Sequence, residues 1–247
     1  MGLRWAYNMV LSSTGVDGLD AMLGGGFPKG KIMIVFGGPG TGKTIMSTQF
    51  LVEGIEQGEA GVYLSMEEPI RNIKENSKSF GWDLDAYEGD GLLRALDLSK
   101  VPHNEKYVEP INFDRNNPKL SIESDMISAV KTINATRLVL DPLTSILIHE
   151  SRAGKKRDLI TRIFSTIRSL GVTALITSEG MPAPGNFFME QFLADGVILL
   201  HKNIEDYKLT KTLRIDKMRG MDFDDQPRRY TVTQRGFQVF HAEPVLI

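Results

Sequence analysis

The residues best suited to chemistry lie in one run, Gly37-Gly38-Pro39-Gly40-Thr41-Gly42-Lys43-Thr44. It meets every fixed position of the phosphate-loop pattern G-x-x-x-x-G-K-[ST]. Glycines let a backbone fold around a polyphosphate so that its N–H groups point inward. The start of a following helix adds further donors and a dipole that favours anions. Lys43 brings a point charge to the outer phosphates, and the Thr44 hydroxyl can ligate magnesium. Gly38, Pro39, Gly40, Thr41, Gly42, Lys43 and Thr44 are therefore the expected phosphate-binding residues. A plain glycine-rich turn is the competing account. It is disfavoured because a β-rich apolar run, residues 32–36, leads in and a helical pattern leads out.

Carboxylates and cations elsewhere could complete such a site. Asp141 ends the apolar run Leu138-Val139-Leu140, the Walker-B arrangement in which a buried strand carries a carboxylate to the phosphate-binding edge. With Thr44 it would hold magnesium, in part through a coordinated water. Glu67 and Glu68 end the run Val62-Tyr63-Leu64-Ser65-Met66. One of them could orient a water on the terminal phosphate or accept its proton. In extended chain neighbouring side chains point opposite ways, so only one faces the ligand; Glu67 is the favoured choice. Lys217 and Arg219 share a face at strand period and could bind polyphosphate, either here or at a neighbouring subunit. On spacing alone they could equally be a solvated edge strand.

These groups need a scaffold. Strands are expected at residues 32–36, 61–65, 93–96, 137–141, 172–177 and 197–200, rich in Val, Ile and Leu as in a parallel sheet buried on both faces. Helical stripes alternate with them: Met46, Phe50, Leu51 and Ile55; Ile122, Met126, Ile127 and Val130; Leu159, Ile160, Ile163, Phe164 and Ile167. A short helix is expected around Leu19 to Leu23. Short antiparallel strands are expected at 213–218, 229–233 and 236–240. Strand–helix alternation implies a mainly parallel sheet with ligands at its C-terminal edge. Residues 1–247 read as a single α/β domain.

The chain has 247 residues with 41% hydrophobic and 24% charged, ordinary for a soluble globular protein. It has no cysteine, which excludes disulfides, zinc–thiolate sites and thiol catalysis and suits a reducing cytoplasm. A net charge of −2 is unlike that of a protein built to coat nucleic acid. Two loops keep single-stranded nucleic acid as a lesser possibility. One carries His149, Arg152, Lys155, Lys156 and Arg157; the other carries Glu179, Pro182, Pro184, Gly185, Phe187 and Phe188. The commoner reading of the latter is core packing by Phe187, Phe188 and Phe192. No apolar run reaches membrane-spanning length, and Trp5 to Leu11, interrupted by Asn8, is too short for a signal core.

Taken in order, the motifs resemble those of the RecA-like ATPases of the KaiC family. The resemblance runs through Thr14-Gly15-Val16-Asp17-Gly18-Leu19-Asp20, Gly24-Gly25-Gly26-Phe27-Pro28-Lys29-Gly30 and the phosphate loop. It continues through Glu67-Glu68-Pro69, Ser79-Phe80-Gly81-Trp82-Asp83, Asp141-Pro142-Leu143-Thr144-Ser145, Thr177-Ser178-Glu179, Ala194-Asp195-Gly196-Val197 and Lys217-Met218-Arg219-Gly220. It covers one KaiC-type domain.

The resemblance implies a homo-oligomeric ring, a hexamer, with ATP and magnesium between subunits. Glu67 matches the family's catalytic glutamate, and Ser79 matches a residue lining the nucleotide pocket. Lys217 and Arg219 match the cations that reach the neighbour's phosphates. There are departures. Gln191 and Phe192 stand where kinase-active relatives have a phosphorylated Ser-Thr pair, so neither can accept phosphate. Met221-Asp222-Phe223 replaces the usual small hydroxyl residues and histidine. The expected function is a magnesium-dependent ATPase acting as an oligomeric switch. The alternatives are an ATP-dependent single-stranded DNA-binding protein and a kinase or regulator acting on a partner protein.

Overall fold

The structure, a computed structural model, describes residues 9–99, 121–148, 152–182, 188–205 and 207–244. Residues 5–8, His149, Pro184, Gly185 and Phe187, considered above, lie outside the described residues.

The chain opens with a two-stranded ribbon, β1 (Leu11–Ser12) and β2 (Phe27–Pro28), flanking the short helix α1 (Asp17–Met22). Then come β3 (Ile32–Gly37), α2 (Lys43–Glu56), β4 (Gly61–Ser65), α3 (Ile70–Lys78), α4 (Leu84–Gly89) and β5 (Leu93–Asp97). The middle of the chain forms α5 (Ser121–Thr132), β6 (Arg137–Asp141), α6 (Leu143–Leu147), α7 (Ala153–Leu170), β7 (Thr173–Ser178) and α8 (Met189–Leu193). It ends in four strands, β8 (Gly196–Glu205), β9 (Lys208–Met218), β10 (Arg228–Thr233) and β11 (Gly236–Pro244).

Nine strands form one sheet in the order β11-β10-β9-β8-β3-β7-β6-β4-β5. The six from β8 to β5 are parallel, and β9, β10 and β11 extend it antiparallel. Every residue of β3, β4, β6 and β7 is buried, because both sheet faces are covered. On one face Phe50 and Leu51 of α2 pack with Leu19, Val35, Val139 and Phe237. On the other, Met126 of α5 and Ile163, Phe164 and Ile167 of α7 pack on Ile34, Leu64 and Leu140. The period-3.6 stripes are thus core faces, as their spacing requires.

The expected fold is present, with several differences. The β1–β2 ribbon is too short to leave a periodic signal. Asp83 caps α4 by accepting from the Ala86 N–H at 3.1 Å, a local device inside a polar stretch. β8 and β9 run well beyond 197–200 and 213–218, out to the register pair Glu205 and Lys208. There the hairpin leaves the core, so the ladder continues after the apolar alternation stops. Phe192 is also no core residue: it is 60% exposed, whereas Phe188 stacks on Phe36 with centroids 5.5 Å apart.

A buried cation fixes α2 over the sheet. Arg137 opens β6 and is fully buried. Its Nε donates to Glu59 at 2.6 Å, and one terminal nitrogen donates to the carbonyls of Ser13 at 2.8 Å and Phe50 at 2.7 Å. The guanidinium carbon lies 4.7 Å from the Phe50 ring centroid. α2 passes this group at Gly54, where a Cβ would stand 2.3 Å from the Arg137 Nε. Burial works against ionisation of Glu59, but hydrogen bonds from Lys29 and Arg137 outweigh it and hold the carboxyl below its ordinary value.

Glu59→Ala leaves the Arg137 guanidinium buried without its counter-charge, and is expected to cost about 3–5 kcal/mol in urea unfolding. The pH dependence has a definite sign. The carboxylate's stabilisation is complete above the ordinary glutamate range, about pH 4.3, and is lost as pH falls through the depressed native value. Acid unfolding of the variant should therefore lack this component.

Candidate functional site

The phosphate-loop residues occupy the C-terminal edge of the parallel sheet. β3 delivers the chain to Gly37, level with Leu200 of β8. Gly40 and Gly42 have φ of +72° and +97°, a region that L side chains avoid. A Cβ on Gly37 would meet the Thr41 hydroxyl oxygen at 2.6 Å, so the turn closes only on a bare backbone. Thr41 donates to the Gly38 carbonyl at 2.8 Å, and the Lys43 ammonium donates to the Gly37 carbonyl at 2.7 Å. α2 then begins at Lys43.

The loop is braced from behind by the antiparallel extension. The Tyr230 hydroxyl donates to the Thr41 carbonyl at 2.8 Å. Tyr230 stacks on Phe237 at 4.4 Å, and Val232 and Phe237 crowd the Cβ position of Gly42. Burial raises the Tyr230 phenol far above its ordinary value, so it stays a donor.

Asp141 meets Thr44 where α2 starts. The Thr44 hydroxyl donates to Asp141 Oδ2 at 2.7 Å, and the Tyr63 hydroxyl donates to the same oxygen at 2.7 Å. Thr177 donates to Oδ1. Asp141 is 6% exposed. Burial, then the adjoining Asp141 carboxylate, pushes the Tyr63 phenol well above its ordinary value. Thr177 belongs to one of the motifs above, but the sequence gives neither it nor Tyr63 a role at the site. The available signal was the hydroxyls carried by these two fully buried strands, since a buried hydroxyl needs a partner.

β4 and β6 end side by side, Ser65 opposite Asp141, so Glu67 and Glu68 follow at the same edge. They diverge in the bend that follows β4. Glu67 is exposed and accepts from the Ser145 hydroxyl at 3.1 Å. Glu68 faces a cavity of about 450 Å³, which it lines with Thr44, Thr48, Ser79, Phe80 and Trp82. Burial first, then Asp141 and Glu67, raise the Glu68 carboxyl above its ordinary value. Glu68, the less favoured of the two, is thus the one sharing a cavity with Thr44. Ser79 lines the same cavity and donates to the Asn76 carbonyl at 2.7 Å, and Phe80 stacks on Trp82 at 4.9 Å. Among the described residues no cluster of three or more His, Asp or Glu is arranged to hold a metal ion. The Thr44–Asp141 pair suits magnesium, which is usually held by one or two protein oxygens together with substrate phosphates and waters.

Lys217 and Arg219 stand elsewhere. Met218 between them pairs with Gly196, which lies beside Met33 at the start of β3. The phosphate loop leaves from the other end of that strand. The Lys217 ammonium donates to the carbonyls of Gln191 at 2.8 Å and Ala194 at 2.6 Å, and Arg219 donates to the Phe192 carbonyl at 2.9 Å. Both cations thus cap the C-terminal end of α8. Burial and the neighbouring Arg219 lower the Lys217 ammonium from its ordinary value. Of the basic loop, Lys155, Lys156 and Arg157 form the first turn of α7.

Comparison with known proteins gives the class. A family model described as "ATPase: KaiC" matches residues 12–244, and the chain belongs to that family. It is 34% identical over 90% of its length to the circadian clock protein KaiC3 of Synechocystis, of which it spans only 44%. It is 31% identical to a UPF0273 protein of Thermotoga maritima, covering 93% of this chain and 96% of that one. Among solved structures, a KaiC-like protein from the hyperthermophilic archaeon Pyrococcus horikoshii superposes with a TM-score of 0.80 at 29% identity, covering 94% of this chain and 99% of the other. The fold is accordingly RecA-like, and the chain carries a KaiC-type ATPase domain.

Tyr63→Phe removes one of the hydroxyls on Asp141 while keeping the buried ring. It is expected to lower unfolding free energy by about 2 kcal/mol, the range for a hydrogen bond to a charged group, read from the urea midpoint at unchanged slope.

Proposed function

We propose that this chain binds ATP with magnesium and hydrolyses it slowly in the cytoplasm, as the switch of a homo-oligomeric ring, a hexamer, whose sites lie between subunits. The observation that carries this reading is the 2.7 Å contact between Thr44 at the mouth of the loop and the buried Asp141. It joins a magnesium-type ligand pair to a phosphate cradle.

In this reading the backbone N–H groups of Gly38 and of residues 40–44, with the Lys43 ammonium, hold the phosphates. Thr44 and Asp141 hold the ion, and Tyr63 and Thr177 fix the carboxylate's orientation. Magnesium, when bound, supplies positive charge to the phosphate oxygens. Glu67 orients the attacking water and takes its proton onto the carboxylate. Glu68, kept neutral more readily by burial, lines the floor beside Thr44. Ser79 borders the nucleoside side of the cavity. Lys217 and Arg219 stabilise charge on a neighbouring subunit's phosphates, a role supported by their distance from their own loop.

Glu67→Gln should slow ATP turnover by about a hundredfold or more, as loss of a general base does, and leave ATP affinity unchanged by calorimetry. Unchanged turnover would remove Glu67 from the role, and a larger loss in Glu68→Gln would transfer it there. Lys43→Ala should abolish measurable ATP binding with magnesium present.

A further inference from the structure

β8 and β9 continue beyond the parallel sheet, and their phosphate-loop face changes character as they do so. Ile198 and Leu200 are buried in the core on that face, and Lys202 is next at strand period. Its register partner on β9 is Lys211. Directly opposed residues of an antiparallel pair point to the same face, so the two lysine side chains leave the hairpin side by side. Like charges in that relation repel. Other lysines of this chain are paired with carboxylates: Lys29 has Glu59, and Lys74 has Asp85 and Glu88. Among the described residues neither Lys202 nor Lys211 has an ion-pair partner.

Lys202 reaches the loop itself, and Lys211 reaches the tyrosine that braces it. The Lys202 ammonium lies 3.6 Å from the position a Cβ on Gly40 would take. The Lys211 ammonium lies 6.0 Å from the centroid of the Tyr230 ring, and that residue's hydroxyl is bonded to the Thr41 carbonyl. One unneutralised cation therefore stands at Gly40 of a backbone built to receive an anion, and its register partner stands over the tyrosine that braces the next residue.

The geometry points to a second cationic station on the outer lip of the phosphate loop, in which Lys202 and Lys211 together bind a phosphate group of the polyphosphate that the loop holds. This rests on the loop binding a polyphosphate and adds two residues to that site. An anion between the lysines turns their mutual repulsion into a shared attraction. The recognition is of phosphate charge and involves no base, so tripolyphosphate should depend on these lysines as ATP does.

The test is calorimetric titration of the full chain with magnesium–ATP and, separately, with tripolyphosphate. The proteins are wild type, Lys43→Ala, Lys202→Gln, Lys211→Gln, the double glutamine variant and the double arginine variant. Affinity for both ligands should fall about 3-fold for each glutamine and about tenfold for the pair, as for partly exposed ion pairs. The double arginine variant should retain wild-type affinity, and added salt should weaken binding by the double glutamine variant less steeply than by wild type. The unliganded double glutamine variant should melt no lower than wild type, because a repulsion has been removed. Wild-type affinity for tripolyphosphate in the double glutamine variant, with binding lost in Lys43→Ala, overturns the proposal and leaves the ATP reading intact. Binding of tripolyphosphate but not ATP by wild type removes the ATP reading and still tests the two lysines. Binding of neither removes both.

Discussion

A single buried carboxylate holds the site together. Asp141 accepts hydroxyls from Thr44, Tyr63 and Thr177, so α2, β4 and β7 are all tied to the end of β6. A carboxylate out of water and without a cation is costly unless its oxygens are satisfied. Three neutral donors meet that need while leaving the charge uncompensated. A site of this kind is stable by itself and still favours a positive ion. The same requirement explains why a tyrosine sits in the middle of a strand otherwise made of small and aliphatic residues.

The antiparallel strands are the second support. In sequence they look like an appendix to a complete α/β unit. In the fold, Tyr230, Val232 and Phe237 press on the loop at Thr41 and Gly42, from more than 180 residues away along the chain. The glycines that allow the loop its shape do not select that shape, because a bare backbone has many others available. The aromatic stack behind it narrows the choice. The loop's conformation is therefore a property of both ends of the chain.

Much of this was legible in the residues, for identifiable reasons. Strands buried on both faces read as continuous apolar runs, so β3, β4, β5, β6 and β7 can be placed within a residue or two, and motif and strand alone assign Thr44 and Asp141 to one place. Contacts set by the third dimension were not legible. Nothing in Glu67-Glu68 says which side chain turns toward α2, because that depends on where the backbone leaves the extended form after Ser65. The hydroxyls on Asp141 and the Tyr230 brace are long-range pairings between residues of unremarked type. The length of the β8–β9 hairpin was hidden because its far end has no core to face and so carries no alternation.

The passage of α2 over Arg137 constrains how the sequence can change. Gly54 has no side chain because the guanidinium occupies the space a methyl group would fill. Replacing the arginine by something shorter opens room at position 54, whereas adding the methyl first collides with a charge that has nowhere to go. The two substitutions are thus permitted in one order and blocked in the other. Divergence at this spot has a direction, imposed by a contact that neither residue reveals by itself.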